Sequence, residues 1–203
     1  KQNSYEDGEN SIISFPEFLL LVLDVCTGGE QPASHYQPDK LIEKFDALKT
    51  HFTAGEFYEK MLYYRLLLDY YTIRRDIKDG QGNYSLILKG PKDDNDKLKQ
   101  YQSMLYVSTE AFYNWLKPYL RKLEQDELQS CAEMLAFLKK EDNERHGVLP
   151  ARKDLSYKAS GNIRYWFWRL DYYLWEQRST FFNEEEQKIV EHYVFRRNRS
   201  IEH

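Results

Sequence analysis

Cysteine, glycine and proline are scarce in this chain, with 2, 9 and 6 copies in 203 residues. Cys26 and Cys131 lie far apart and fit no metal-ligand spacing, so we expect reduced thiols in a cytoplasmic protein rather than a disulfide framework or a zinc site. The chain also has no apolar run of the ~18 residues that a membrane-crossing helix needs. We therefore expect no membrane partner.

The chain also carries no excess of positive charge. The formal net charge is −4, whereas nucleic-acid-binding proteins usually present a basic face. Any contact with DNA must then be local. The first residues, KQNSYEDGEN from Lys1, contain neither an initiating Met nor a secretory pattern, so we expect an excised segment of a longer protein.

Aromatic residues are abundant and recur with helical spacing. The chain has 17 Tyr, 11 Phe and 4 Trp, whose wide side chains fill large gaps between helices. In the longest periodic segment, apolar side chains follow one another at spacings of three and four, namely Phe57, Met61, Tyr64, Leu68 and Tyr71. This spacing predicts a helix that packs against other helices.

Helix boundaries are also visible in the sequence. Ser14, followed by Pro16 and Glu17, is typical of a capped helix start, and Asn183 before three glutamates is another. Pro118 is expected to kink or divide its helix. Arg74 and Arg75 are expected near a helix C-terminus, where their charge suits the helix dipole.

Three stretches are predicted to be non-helical. Residues 84–89 follow a Gly-rich turn cluster and suit a short strand. Residues 139–161 lack an apolar period and suggest a long loop, and Tyr193 to Arg197 alternates as a strand does. The predicted fold is all-α, an irregular multi-helix bundle with at most a short strand or hairpin near 84–89 and an extended C-terminal end.

One helix, which Asn162 could cap, carries two adjoining apolar stripes. The first contains Ile163, Phe167, Leu170 and Leu174, and the second contains Tyr165, Trp168, Tyr172 and Trp175. Spacing on two faces favours a core helix that is largely buried. Stacking of nucleic-acid bases on the second stripe stays open, and it requires several of these rings to be accessible to solvent.

The last nine residues, FRRNRSIEH, carry the recognisable chemistry. Ser200-Ile201-Glu202-His203 after three arginines resembles the opening of the nuclease motif in modification-dependent restriction endonucleases of the GmrSD kind, which end in a His-Asn-His-type nuclease. The helical region before it, including Leu170 to Trp175, is also similar to that family. The polar, Gly-containing start of the chain predicts a disordered or extended leader at 1–13. The resemblance implies a helical domain at 14–182 and the start of a truncated nuclease module at 183–203.

By this resemblance, His203 matches the general base and Glu202 the ligand of one Mg²⁺ or Mn²⁺ ion. An imidazole with an unperturbed pKa of about 6.5 suits proton transfer at neutral pH, and a carboxylate oxygen suits a hard cation. The motif's further ligands and the family's N-terminal nucleotide-binding, ParB-like domain lie outside this sequence. We therefore expect the fragment to hold no cofactor and to be inactive alone, with DNA and the other domains of its parent chain as partners.

Arg196, Arg197 and Arg199 admit two interpretations. Guanidinium groups form forked hydrogen bonds with phosphate, so these residues could position a DNA backbone. They could equally form a solvated strand edge or pair with nearby glutamates. The rival interpretation of the whole chain is a helical protein-interaction scaffold without enzymatic activity, which the negative charge and the incomplete site favour.

Overall fold

In the computed structural model, residues 9–77, 84–108, 110–155 and 163–195 are described, and helices dominate them. The α-helices are α1 Phe15–Cys26, α2 Leu41–Leu48, α3 Ala54–Tyr71, α4 Asp96–Val107, α5 Phe112–Glu124, α6 Cys131–His146, α7 Ile163–Glu176, α8 Arg178–Phe181 and α9 Glu184–Glu191. The strands are β1 Glu9–Ser11, β2 Ile73–Ile77 and β3 Tyr84–Leu88. The predicted all-α class with a short hairpin is confirmed. Within these ranges, no helix has both the length and the apolar character of a bilayer-crossing span.

Side-chain caps fix where several helices begin. The Ser14 hydroxyl accepts a hydrogen bond from the Glu17 backbone N–H, while the Glu17 carboxylate accepts from the Ser14 N–H at 2.7 Å. Asn183 and Glu186 form the same reciprocal pair at α9. Both predicted caps are confirmed, and the acidic residues after Asn183 occupy the first helical turn, where they complement the dipole.

The strands form one antiparallel sheet in the order β1-β2-β3. The expectation that Arg74 and Arg75 lie near a helix C-terminus is wrong, because α3 ends at Tyr71 and both arginines belong to β2. The Ile73 N–H donates to the Gln102 side-chain oxygen at 2.9 Å, and Ile73 lies opposite Leu88 in β3. The chain therefore leaves the helix for a strand whose partners are remote in sequence.

Pro118 does not divide its helix, since α5 continues through it to Glu124. Proline has no N–H to donate to the carbonyl four residues earlier. That carbonyl, of Asn114, instead accepts a hydrogen bond from the Arg145 guanidinium of α6. A tertiary contact replaces the missing helical bond.

The long loop expected from residue 139 is also wrong over its first third, because α6 extends to His146. Lys140 and Glu144 form an i, i+4 ion pair at 3.7 Å on its exposed side. Gly147, at φ +82°, ends the helix, since glycine adopts that backbone conformation without steric cost.

A single aromatic-rich core runs from Ile13 to Phe195. Helix α1 lies deep in it, with the run from Leu20 to Leu23 fully buried. The largest buried side chains come from several helices and include Trp115, Tyr64, Tyr119 and Tyr165. Residues on both sides of position 183 contribute to this core, and the predicted module division there stays a prediction.

We predict that Leu21→Ala lowers the free energy of unfolding by about 2–5 kcal/mol, because it removes a fully buried side chain and leaves a cavity. Leu149→Ala is the matched control, since Leu149 is 80% exposed and its change should stay within about 0.5 kcal/mol. Urea unfolding followed by circular dichroism measures both. Equal losses in the two variants would contradict this description of the core.

Candidate functional site

The residues that the sequence assigns to the nuclease motif are Arg196, Arg197, Arg199, Glu202 and His203. All five lie outside the described residues, whose last member is Phe195. The geometry that bears on the motif is therefore that of the three residues before it. We call Tyr193–Phe195 the exit segment.

Side chains from two helices hold Tyr193. Its hydroxyl donates to the Asp171 carboxylate of α7 at 2.9 Å, and its carbonyl accepts from the Gln100 side chain of α4 at 2.8 Å. The strand expected from Tyr193 is absent over residues 193–195. The Tyr193 carbonyl binds a helix side chain rather than a neighbouring strand, which accounts for the difference.

Phe195 anchors the other end of the exit segment. Its side chain is 5% exposed, and its ring meets Trp168 of α7 edge-on with centroids 6.2 Å apart. The Tyr193 ring lies perpendicular to it at 5.1 Å. Edge-to-face contacts of this kind add to the apolar burial, so the chain is fixed up to the residue before Arg196.

Asp171 is an acid whose environment opposes ionisation. Burial raises the pKa of its carboxyl group, and the hydrogen bond from Tyr193 offsets part of that shift by stabilising the charged form. A groove of about 250 Å³ adjoins this pair, lined in part by Leu174, Ile189 and Val190. Among the described residues, the walls of the groove are mainly apolar, and Asp171 is the carboxylate that lines it.

A second carboxylate connects α4, α6 and α7. Asp142 of α6 is fully buried, and its Oδ2 accepts hydrogen bonds from Tyr101 of α4 and Tyr165 of α7, both at 2.7 Å. Burial and the neighbouring carboxylate raise the pKa of both tyrosines. The hydroxyls therefore stay protonated and act as donors.

Arg169 places a positive charge beside this carboxylate. Its Nη1 lies 3.7 Å from Asp142 Oδ2 and donates to the Gly147 carbonyl at 2.8 Å, while Nη2 donates to Asn143. A carboxylate with two tyrosine donors and a nearby guanidinium is poorly suited to abstract a proton from a substrate. We interpret the network as structural.

Asp142 was not among the residues predicted from the sequence, although its position on an apolar helical face indicates a buried acid. Leu135, Leu138 and Asp142 continue the spacings of three and four along one face of α6. A lone acid on an apolar helical face requires buried donors. The same pattern appears in α1, where buried Asp24 accepts from the Gln31 N–H at 2.8 Å and lies 3.1 Å from Lys117 Nζ.

The proposed stacking of nucleic-acid bases on the second aromatic stripe is wrong. Tyr165, Tyr172 and Trp175 are at most 5% exposed, and Trp168 is half-buried. The exposed side of α7 instead carries Phe167 and Leu170, at 43% and 48%. The expectation that α7 is largely buried therefore holds for one stripe only.

Metal ligands and thiols give no further site within the described ranges. No group of three or more His, Cys, Asp or Glu side chains there could hold a metal ion, and Cys26 and Cys131 are free thiols. The groove of about 530 Å³ beside Cys131 is lined in part by Asp93 and Asp94. Burial raises the pKa of the Cys131 thiol, so it is a poor nucleophile there.

Comparisons of the chain with protein-family models, with curated proteins and with solved structures find no match. The functional assignment therefore depends on the residues of the chain itself.

We predict that Tyr193→Phe raises the pKa of Asp171 further, because the variant loses the hydrogen bond that favours the charged carboxylate. An NMR titration of the Asp171 carboxyl carbon measures the shift. Tyr173→Phe is the control, since the Tyr173 side chain is 50% exposed. An unchanged Asp171 pKa in Tyr193→Phe would exclude the hydrogen bond as a determinant of the titration.

The sign of the associated stability change follows from the same pKa. Because the folded-state pKa of Asp171 is raised, the folded protein binds this proton more tightly than the unfolded chain does. The tighter binding adds to the free energy of unfolding below the unfolded-state pKa, and that gain is lost as pH rises through the folded-state pKa. Asp171→Asn should remove that part of the pH dependence of the unfolding free energy. Denaturant unfolding at a series of pH values checks it, and an identical slope in both proteins would contradict it.

Proposed function

We propose that this chain is the helical connecting domain of a GmrSD-like restriction endonuclease, which acts against foreign, including modified, DNA. The observation that carries the proposal is the motif FRRNRSIEH, with Glu202 and His203 at its end. In this proposal the two residues belong to a metal-dependent, His-Asn-His-type nuclease site whose other ligands come from further along the parent chain.

His203 is the proposed general base of the hydrolysis. Its imidazole takes a proton from the water that attacks the scissile phosphodiester. Glu202 supplies a carboxylate oxygen of the type that holds Mg²⁺ or Mn²⁺. A divalent ion in such a site offsets the charge that develops on the phosphate oxygens.

Arg196, Arg197 and Arg199 are the proposed contacts to the DNA backbone. Each guanidinium can donate two parallel hydrogen bonds to a phosphate. Such contacts fix the position of the duplex without reading its sequence. Local binding of this kind is compatible with the net charge of −4.

The exit segment supports a connecting role. Phe195 is packed into the helical core, and Arg196 is the next residue. The helices therefore hold in place the residue at which the motif begins. A site that must hold a base and a metal ligand in fixed geometry benefits from such rigidity.

A protein-interaction scaffold without enzymatic activity is the second candidate. The observation that favours it is that the buried carboxylates Asp24 and Asp142 are engaged by internal donors. The two candidates differ in what the motif residues do.

The test is metal-dependent cleavage of plasmid DNA by the chain extended through the downstream residues of its gene. We expect cleavage with Mg²⁺ or Mn²⁺, and a loss of roughly a hundredfold or more in His203→Ala. Glu202→Ala should raise the metal concentration needed for half-maximal cleavage. His192→Ala is the matched control, because that exposed histidine lies outside the motif.

Two outcomes would contradict the nuclease proposal. One is the absence of cleavage by the extended chain, and the other is equal cleavage by the wild type and His203→Ala. Either result would favour the scaffold.

A further inference from the structure

Helix α3 has apolar side chains on both its faces. Toward the core, Phe57, Tyr64, Leu67 and Leu68 are at most 8% exposed. On the opposite side, the helix exposes Tyr58, Leu62, Tyr63, Leu66 and Tyr70, with Tyr58, Leu62 and Leu66 at 64%, 62% and 59%. A helix that is apolar all round is normally buried on every side.

The exposed residues form one continuous surface. Tyr58, Leu62, Leu66 and Tyr70 follow one another at i, i+4 and make a row that is inclined to the helix axis. We call this row the α3 ridge. Helix α6 differs, because its most exposed positions include Glu133, Lys140 and Glu144.

The size of the α3 ridge matches an interface rather than scattered surface residues. With Tyr63, it exposes on the order of 500 Å² of side-chain area, which is at the upper end for the largest apolar patch of a monomer. A small stable interface buries about 600 Å² on each partner. The exposed area of the ridge and Tyr63 comes close to that value.

We infer that the α3 ridge is a two-fold interface between two copies of this chain. Rows at i, i+4 on two helices interdigitate when the helices cross at about −50°, so the ridge is complementary to a second copy of itself. Leu62 and Leu66 lie at the crossing point. Tyr58 and Tyr70 lie at its ends, where their hydroxyls remain hydrated.

The charges beside the ridge favour the same partner. Glu59 and Arg65 border it on opposite sides and have opposite charges. In a dimer whose two-fold axis runs along the mean direction of the two α3 helices, the Glu59 side of one helix faces the Arg65 side of the other. Arg65 donates its Nε to Asp69 at 2.8 Å, and its terminal nitrogens can serve a second carboxylate.

The test is the mass of the chain in solution, measured by light scattering and sedimentation over a wide range of protein concentrations. The expected result is a monomer-dimer equilibrium with twice the chain mass at high concentration. Leu62→Lys and Leu66→Lys should each weaken the dimer by roughly tenfold or more, since every substitution acts twice across the axis. Ile42→Lys, at a residue that is 73% exposed on α2, is the matched control.

A charge exchange tests the arrangement of the two copies. Glu59→Arg and Arg65→Glu should each weaken the dimer, and the double variant should recover most of the loss. Circular dichroism checks that each variant keeps its helical content. If one lysine variant unfolds, the other still tests the interface.

Three results would overturn the inference: a monomer at every concentration, a dimer that survives both lysine substitutions together, or equal weakening by Ile42→Lys. A monomer would mean that the α3 ridge serves another partner or none. The inference does not depend on the nuclease proposal, because the measurements involve neither DNA nor metal.

Discussion

The Asp142 carboxylate and its two tyrosine donors are the constraint on which the second half of the fold depends. A charged group without exposure to solvent is costly unless donors surround it. Tyr101 and Tyr165 supply hydrogen bonds at 2.7 Å from α4 and α7, and Arg169 adds positive charge at 3.7 Å. Three helices therefore have to meet at one point, and separating any of them leaves a buried polar group without its partner.

The orientation of α7 follows from this contact, and α7 in turn positions the exit segment. The same helix presents Tyr165 to Asp142, Trp168 to Phe195 and Asp171 to Tyr193. Such coupling links a buried charge in the core to the residues directly before the arginine-rich motif. In the proposed enzyme, this coupling fixes the exit segment, which directly precedes the proposed nuclease residues.

Local signals in the sequence predicted much of the fold, and contacts between distant residues account for most errors. The caps at Ser14 and Asn183 depend on residues three positions away, which is why they were predictable. Pro118 stays helical because Arg145 binds a carbonyl of α5, and Arg74 is in a strand because β3 pairs with it. Asp142 was missed because its donors lie 41 and 23 residues away. The motif residues themselves lie beyond the described part of the chain, so their roles rest on the sequence.

Hydrogen exchange in Asp142→Ala tests most directly whether the buried carboxylate holds α7 and the exit segment. Loss of the acceptor should open this unit locally, so peptides covering 163–195 should exchange at least about tenfold faster while those covering 15–26 are unchanged. Asp142→Asn should stay close to the wild type, since an amide oxygen can still accept from both tyrosines. Unchanged exchange in 163–195, or an equal increase in both regions, would contradict the account.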